Sequence, residues 1–255
     1  MKQSNSSSPS IPENFSRKKF FIRSLRLMRA MGVGVLFFPN RLGARNKTSA
    51  KKKKRFAMVI DAAKCTGCHA CAVACKTEND GHLGVWRCDV KEYVSEIKGK
   101  VKLDFMPLQC NHCENPSCIE VCPVTKDKFG HRATYQRKDG IVLVDNQRCI
   151  SCGKCVSACP YDARFMDPIT NKANKCTLCA HRLDRGLVPA CVNTCPSQVR
   201  TIWDLNDPKL KKIQKSAKLL MPEHGTRPAV YYLGIEPNDS YQDGVGTKDR
   251  WAQEM

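Results

Sequence analysis

The sequence predicts an α+β chain in which two small domains are interleaved, and three observations predict it. The first is cysteine, with 17 in 255 residues. The second is a recurring order along the chain: short apolar strand, cysteine loop, short helical turn. The third is a thin apolar content. Hydrophobic residues reach 42%, and without cysteine roughly 35%, little for a conventional core of this length. Something besides apolar side chains is expected to organise the interior.

Charge is concentrated at one end. The chain carries 43 Lys+Arg against 24 Asp+Glu, for a net charge of +19. The first 55 residues hold 15 of those basic residues and a single acidic one, Glu13. The remainder is nearly balanced, so a nucleic-acid partner is not expected despite the basic total. The longest apolar stretch, Ala30 to Pro39, is about half of what a bilayer span needs. A basic stretch ahead of a short apolar run reads as a targeting segment. Ser16-Arg17-Lys18-Lys19-Phe20 resembles a twin-arginine signal in which Lys18 replaces the second arginine. Residues 1–44 are therefore expected to be a twin-arginine-type signal, with Leu42-Gly43-Ala44 as a cleavage site, and 45–55 a basic linker. This implies a periplasmic protein, exported with its cofactors already in place. The alternative is a basic amphipathic helix lying on a membrane or a partner.

Four motifs take in every cysteine but Cys88. Motif one is Cys65, Cys68, Cys71 and Cys75 (C-x2-C-x2-C-x3-C); motif two is Cys110, Cys113, Cys118 and Cys122, closed by Pro123. Motif three is Cys149, Cys152, Cys155 and Cys159, closed by Pro160; motif four is the looser Cys176, Cys179, Cys191 and Cys195, then Pro196. Three cysteines at C-x2-C-x2-C wrap a tight loop whose thiolates reach three irons of one cubane. In two-cluster ferredoxins the fourth cysteine ligates the other cluster. Four such motifs predict two exchanging pairs and four [4Fe–4S] clusters. Zinc would use separated C-x2-C pairs, a reading open to motif four alone. A disulfide framework suits exported proteins but not loops this tight.

The elements follow the motifs. Phe56 to Asp61 precedes motif one and Ile141 to Asp145 precedes motif three; in both, the first cysteine comes four residues after the aspartate. Strand, cluster loop and short helix make a ferredoxin half-unit, so two interleaved ferredoxin-like domains are expected, each holding two [4Fe–4S] clusters. Spacing alone does not show which motifs pair. In the C-terminal region, 206–255, Asp207-Pro208 starts a helix carrying Leu210, Ile213, Ala217 and Leu220 at helical spacing. A strand over Ala229 to Ile235 and an extended tail complete the chain. Cys88 is expected to be a buried free thiol, His112 and His181 hydrogen-bonded scaffold, and Trp86 and Trp203 packing residues. No nucleophile elbow, HExxH or phosphate loop is present, so no catalytic residue is assigned.

Three segments carry a family resemblance: Cys110-Asn-His-Cys-Glu-Asn-Pro116, Cys159-Pro-Tyr-Asp-Ala-Arg-Phe165 and His181-Arg-Leu-Asp-Arg-Gly-Leu-Val-Pro-Ala-Cys191. With the four motifs in this order, residues 56–235 resemble the four-cluster electron-transfer (beta) subunits of respiratory molybdoenzymes of the DMSO reductase/polysulfide reductase type. Pro222-Glu-His-Gly-Thr-Arg-Pro228 and Tyr231-Tyr-Leu-Gly234 are most similar to the tetrathionate-reducing members. The stretch Thr125 to Arg132 is longer than that pattern expects.

The resemblance implies that motif one pairs with motif four, in a domain of residues 56–100 plus 170–205, and motif two with motif three, in a domain of residues 101–169. It implies that Cys65, Cys68, Cys71 and Cys195 hold cluster one, and Cys75, Cys176, Cys179 and Cys191 cluster two. It implies Cys110, Cys113, Cys118 and Cys159 for cluster three, and Cys122, Cys149, Cys152 and Cys155 for cluster four. The implied partners are a molybdopterin-containing catalytic subunit and an NrfD-like integral membrane subunit that oxidises quinol. Delivery to a multihaem cytochrome c nitrite reductase is the alternative machine, and a basic zinc-bound interaction module the alternative from another class.

Overall fold

The computed structural model describes residues 54–97 and 100–234; the signal segment, most of the linker and the tail from 235 lie outside the described residues. Strand β1 (Phe56–Asp61) is the centre of a three-stranded sheet. It pairs antiparallel with β8 (Arg200–Asp204), Met58 opposite Ile202. It pairs parallel with β9 (Val230–Leu233), Met58 opposite Val230. Ala57 to Ile60 are all buried, as a strand covered on both faces requires.

The helix foreseen after Asp207 forms as α6 (Pro208–Gln214), with the Asp207 carboxylate accepting the Lys209 N–H at 2.8 Å. Leu210 packs beneath the sheet against Ala57 and Val59. The helix is shorter than the apolar spacing to Leu220 suggested. Lys218 exchanges both backbone hydrogen bonds with Tyr232, each 2.8 Å, so β9 takes the groups that a longer helix would use.

Helix α1 (Ala70–Glu78) follows the motif-one loop and packs against β2 (Cys88–Ile97). With β3 (Lys100–Gln109), β2 forms the longest hairpin among the described residues, an element that the cysteine pattern gives no hint of. The expected domain boundary at 100–101 falls inside β3, after its first residue, and so parts most of β3 from the strand it pairs with. The Tyr232 hydroxyl donates to Pro107 O at 3.1 Å, tying hairpin to sheet.

The remaining elements are short. Helix α2 (Ser117–Glu120) packs against α3 (Lys154–Ser157), and α4 (Ala180–Leu183) and α5 (Ala190–Asn193) flank motif four. Two three-residue hairpins, β4 (Thr134–Gln136) with β5 (Val142–Val144) and β6 (Arg164–Met166) with β7 (Ala173–Lys175), frame motifs two and three. Residues 125–132 close into a loop: Asp127 accepts from the N–H groups of Phe129 and His131, and Arg148 donates to Thr125 O, Asp127 and His131 O. Trp203 packs beside Leu210, and Lys76 stacks on the Trp86 ring at 4.1 Å. No helix among the described residues is long and apolar enough to cross a membrane.

Candidate metal centre

The four cysteine loops share a backbone conformation. The residue just before the second cysteine of each motif has positive φ: Gly67 (68°), His112 (44°), Ser151 (61°) and Leu178 (53°). Three of these are not glycine, and such residues pay a steric cost unless their surroundings hold them. The gain is a curl that turns backbone N–H groups onto sulfur. His112 N lies 3.5 Å from Cys110 Sγ and Leu178 N 3.3 Å from Cys176 Sγ. Gly67 N donates to Cys65, and Val199 N meets Cys195 Sγ at 3.3 Å. Such bonds favour charge on the sulfur. Gly67 has a second constraint, because a Cβ there would collide with the Phe105 ring. Gly67→Ala should therefore cost roughly 1–3 kcal/mol, read as an earlier urea midpoint of the iron-loaded protein.

Packing brings cysteines from different motifs together. Helix α1 lies against α5, and one small cavity there is walled by Cys75, Cys88, Cys176, Cys179 and Cys191 together with Arg200. Elsewhere α2 packs against α3, and a second small cavity is walled by Cys110, Cys113, Cys118, Cys159 and Arg164. Cys65 and Cys195 pack against the core that contains Cys71, and Cys68 lies exposed beside Cys65. Cys149 packs with Cys155; Cys122 is buried and Cys152 exposed. His181 and Arg182 both grip Glu78, at 2.7 and 2.8 Å, joining motif four to α1.

These surroundings fit an anionic group. Arg164, Lys175 and Arg200 are all buried, yet none pairs with a carboxylate among the described residues. Lys175 reaches only the carbonyls of Val142 and Cys176. An unpaired buried cation costs several kcal/mol. Beside these cations, the side chain of Asn111, Nε2 of His112, Nη2 of Arg164 and Nε of Arg200 have no partner among the described residues. His112 accepts the Val142 N–H on Nδ1 at 3.1 Å, which leaves Nε2 as a proton-bearing donor. Burial, then Lys175 and Arg164, hold it neutral. A thiolate-ligated cubane with net negative charge answers both the unpaired cations and the free donors.

Without iron the buried sulfurs are thiols. Burial pushes Cys75 and Cys118 up to about 12 and Cys113 up to about 11 from 9.0. Cys71 departs the other way, to about 6, chiefly through a hydrogen bond from Cys88. An acid whose pKa is raised by folding stabilises the fold below its unfolded value and loses that contribution as pH climbs through its folded value. The residual packed structure of the iron-free chain should therefore fade between about pH 9 and 12. Iron-loaded protein, whose sulfurs have already lost their protons, should hold. Circular dichroism of both forms across that range checks this, and an equal alkaline loss in the two would contradict it. Cys88 itself, outside every motif, is buried at the start of β2 with its sulfur 3.1 Å from Arg200 Nη2.

A 4Fe-4S binding domain matches residues 58–78 and a 4Fe-4S dicluster domain residues 101–205. Loops and matches together define an iron–sulfur protein built on ferredoxin-type 4Fe–4S domains. The sequence is 45% identical to the B subunit of the tetrathionate reductase of Salmonella typhimurium, over 72% of this chain and 74% of that one. It is 38% identical to the B polypeptide of the polysulfide reductase of Wolinella succinogenes, over 72% and 95%. It is also 35% identical to the arsenate respiratory reductase iron–sulfur subunit of a Shewanella species, over 70% and 96%. The chain is a member of this family, the iron–sulfur beta subunits of reductases of the DMSO reductase/polysulfide reductase type.

Proposed function

We propose that the chain is a non-catalytic electron-transfer subunit carrying four [4Fe–4S] clusters in two pairs. The observation that carries this reading is the pair of cavities, each walled by four motif cysteines drawn from two motifs and by one buried arginine, with Cys88 as a fifth sulfur in the first. Cys75, Cys176, Cys179 and Cys191 hold one cluster there, and Cys110, Cys113, Cys118 and Cys159 another. The remaining sets are Cys65, Cys68, Cys71 with Cys195, and Cys122 with Cys149, Cys152, Cys155. Such clusters supply one-electron redox chemistry. The protein's part is to hold the sulfurs with backbone N–H groups, to keep water from the buried ones and to surround them with fixed cations.

The work of the subunit is relay between an NrfD-like membrane subunit that oxidises quinol and a molybdopterin-containing catalytic subunit, in the periplasm after twin-arginine export. The similarity to tetrathionate, polysulfide and arsenate reductase subunits supports a sulfur-oxyanion, polysulfide or related acceptor at that partner. Anaerobic purification of the native complex tests this. It should bring near-stoichiometric molybdenum or tungsten and about 16 iron atoms per chain without zinc. Abundant c-haem with neither metal would replace the molybdoenzyme by a multihaem cytochrome partner, and zinc in place of iron would overturn the relay.

A further inference from the structure

One arginine in each half follows the closing cysteine of a motif at the same distance. Cys159-Pro-Tyr-Asp-Ala-Arg164 and Cys195-Pro-Ser-Gln-Val-Arg200 share the order Cys-Pro-x-x-x-Arg. Each arginine is the first residue of a strand, β6 and β8, and each is buried, 3% and 1% exposed. Arg200 donates to Gln109 Oε1 and to Cys88 Sγ, and lies 3.8 Å from Met58 Sδ. Arg164 donates to Thr134 Oγ1 at 3.4 Å. Each keeps one buried N–H without an acceptor among the described residues, Nε in Arg200 and Nη2 in Arg164.

The contacts with cysteine repeat as well. Arg200 lines the cavity of Cys75, Cys176, Cys179 and Cys191; it also follows Val199, whose N–H meets Cys195 of the other set at 3.3 Å, and its charge acts on Cys71, the third cysteine of motif one. Arg164 lines the cavity of Cys110, Cys113, Cys118 and Cys159, and it interacts electrostatically with Cys155, the third cysteine of motif three. In each half a single guanidinium therefore reaches from one cysteine set to the other. A planar group with five donors and a charge that persists at any working pH can serve two anionic neighbours at once.

We infer that Arg164 and Arg200 are equivalent bridging cations, each shared by the two clusters of its half and holding both at a higher reduction potential. The inference rests on the four-cluster reading above. Both arginines are positioning residues: positive charge beside a cluster stabilises its reduced, more negative form. The device also gives Cys88 a task. Its sulfur takes the Arg200 Nη2 donor at 3.1 Å, and it is buried in the same core as Cys71, so it braces the guanidinium beside motif one.

The test is an EPR-monitored redox titration of the full-length, iron-loaded subunit and of its Arg200→Gln and Arg164→Gln variants. Cys110→Ser identifies the signals of the motif two–three half. At a fixed poise, Arg200→Gln should raise the oxidised-to-reduced ratio of both clusters of the motif one–four half about tenfold, which is about 59 mV for one electron. The other half should not move, and Arg164→Gln should give the converse. Lysine keeps the charge but cannot span two sites, so Arg200→Lys and Arg164→Lys should shift only one cluster of the pair. Those variants decide the matter if the glutamine forms fail to load iron. Full iron with unmoved potentials overturns the inference, as does a shift spread evenly over all four clusters. A parent protein far short of 16 iron atoms would defeat the four-cluster reading instead.

Discussion

Cys110→Ser should abolish one cluster's EPR signal and the turnover of the reductase together. Cys110 is buried and walls its cavity with Cys113, Cys118 and Cys159. Serine offers a hard oxygen that stays protonated where a thiol can ionise, so a soft iron–sulfur group loses one of four anchors. Losing partners outside the ligand set already costs roughly 10–100-fold in metal affinity, so a direct ligand costs more. The loss extends beyond the site, because Lys175 and Arg164 then have less negative charge to face. About four iron atoms per chain should go, and turnover should fall at least about 100-fold. The measurements are iron content, EPR of the reduced protein, and substrate reduction by the reassembled complex. Normal turnover with the cluster gone would sink the relay.

Iron removal should abolish cooperative folding. Among the described residues, cysteine provides 11 of the 31 buried apolar positions and alanine eight, while no phenylalanine or tryptophan is fully buried. Helices α2 to α5 are four residues each, far below the length that is stable alone. What fastens them is the cysteine at or beside each one. Metal-linked folding energy is on the order of 10 kcal/mol for a structural zinc site, as large as the whole stability of a typical domain. Anaerobic chelation followed by circular dichroism and urea titration should therefore show a broad, non-cooperative loss of structure. An iron-free form that kept a sharp transition near that of the loaded protein would contradict this.

The pH, Gly67 and arginine predictions divide along the same line as the fold itself. The cysteine loops, strand β1 and the start of α6 were legible from residues alone. A Cys-x-x-Cys loop, a run of buried apolar residues and an Asp-Pro cap are each settled within a few neighbours, so their signals stay local. The end of α6 was not legible. Leu220 continues the apolar spacing, and only the pairing of Lys218 with Tyr232, remote in sequence, withdraws the backbone from the helix. The β2–β3 hairpin was passed over because the cysteines on either side dominate the pattern, although Val90, Tyr93, Leu103 and Phe105 supply strand-forming residues.

By itself the sequence determined the chemistry: sixteen motif cysteines in loops that suit iron and sulfur, in a family whose members it matches. Spacing states what a loop can bind but not which loop it faces. That was decided by packing, α1 on α5 and α2 on α3, which brings Cys75 to Cys176 across a hundred residues of chain. The same packing turned Arg164 and Arg200, two ordinary strand residues by sequence, into buried cations with no carboxylate to answer them among the described residues. A side chain's charge is written in the chain, but its burial and its neighbours exist only once distant segments have closed around it.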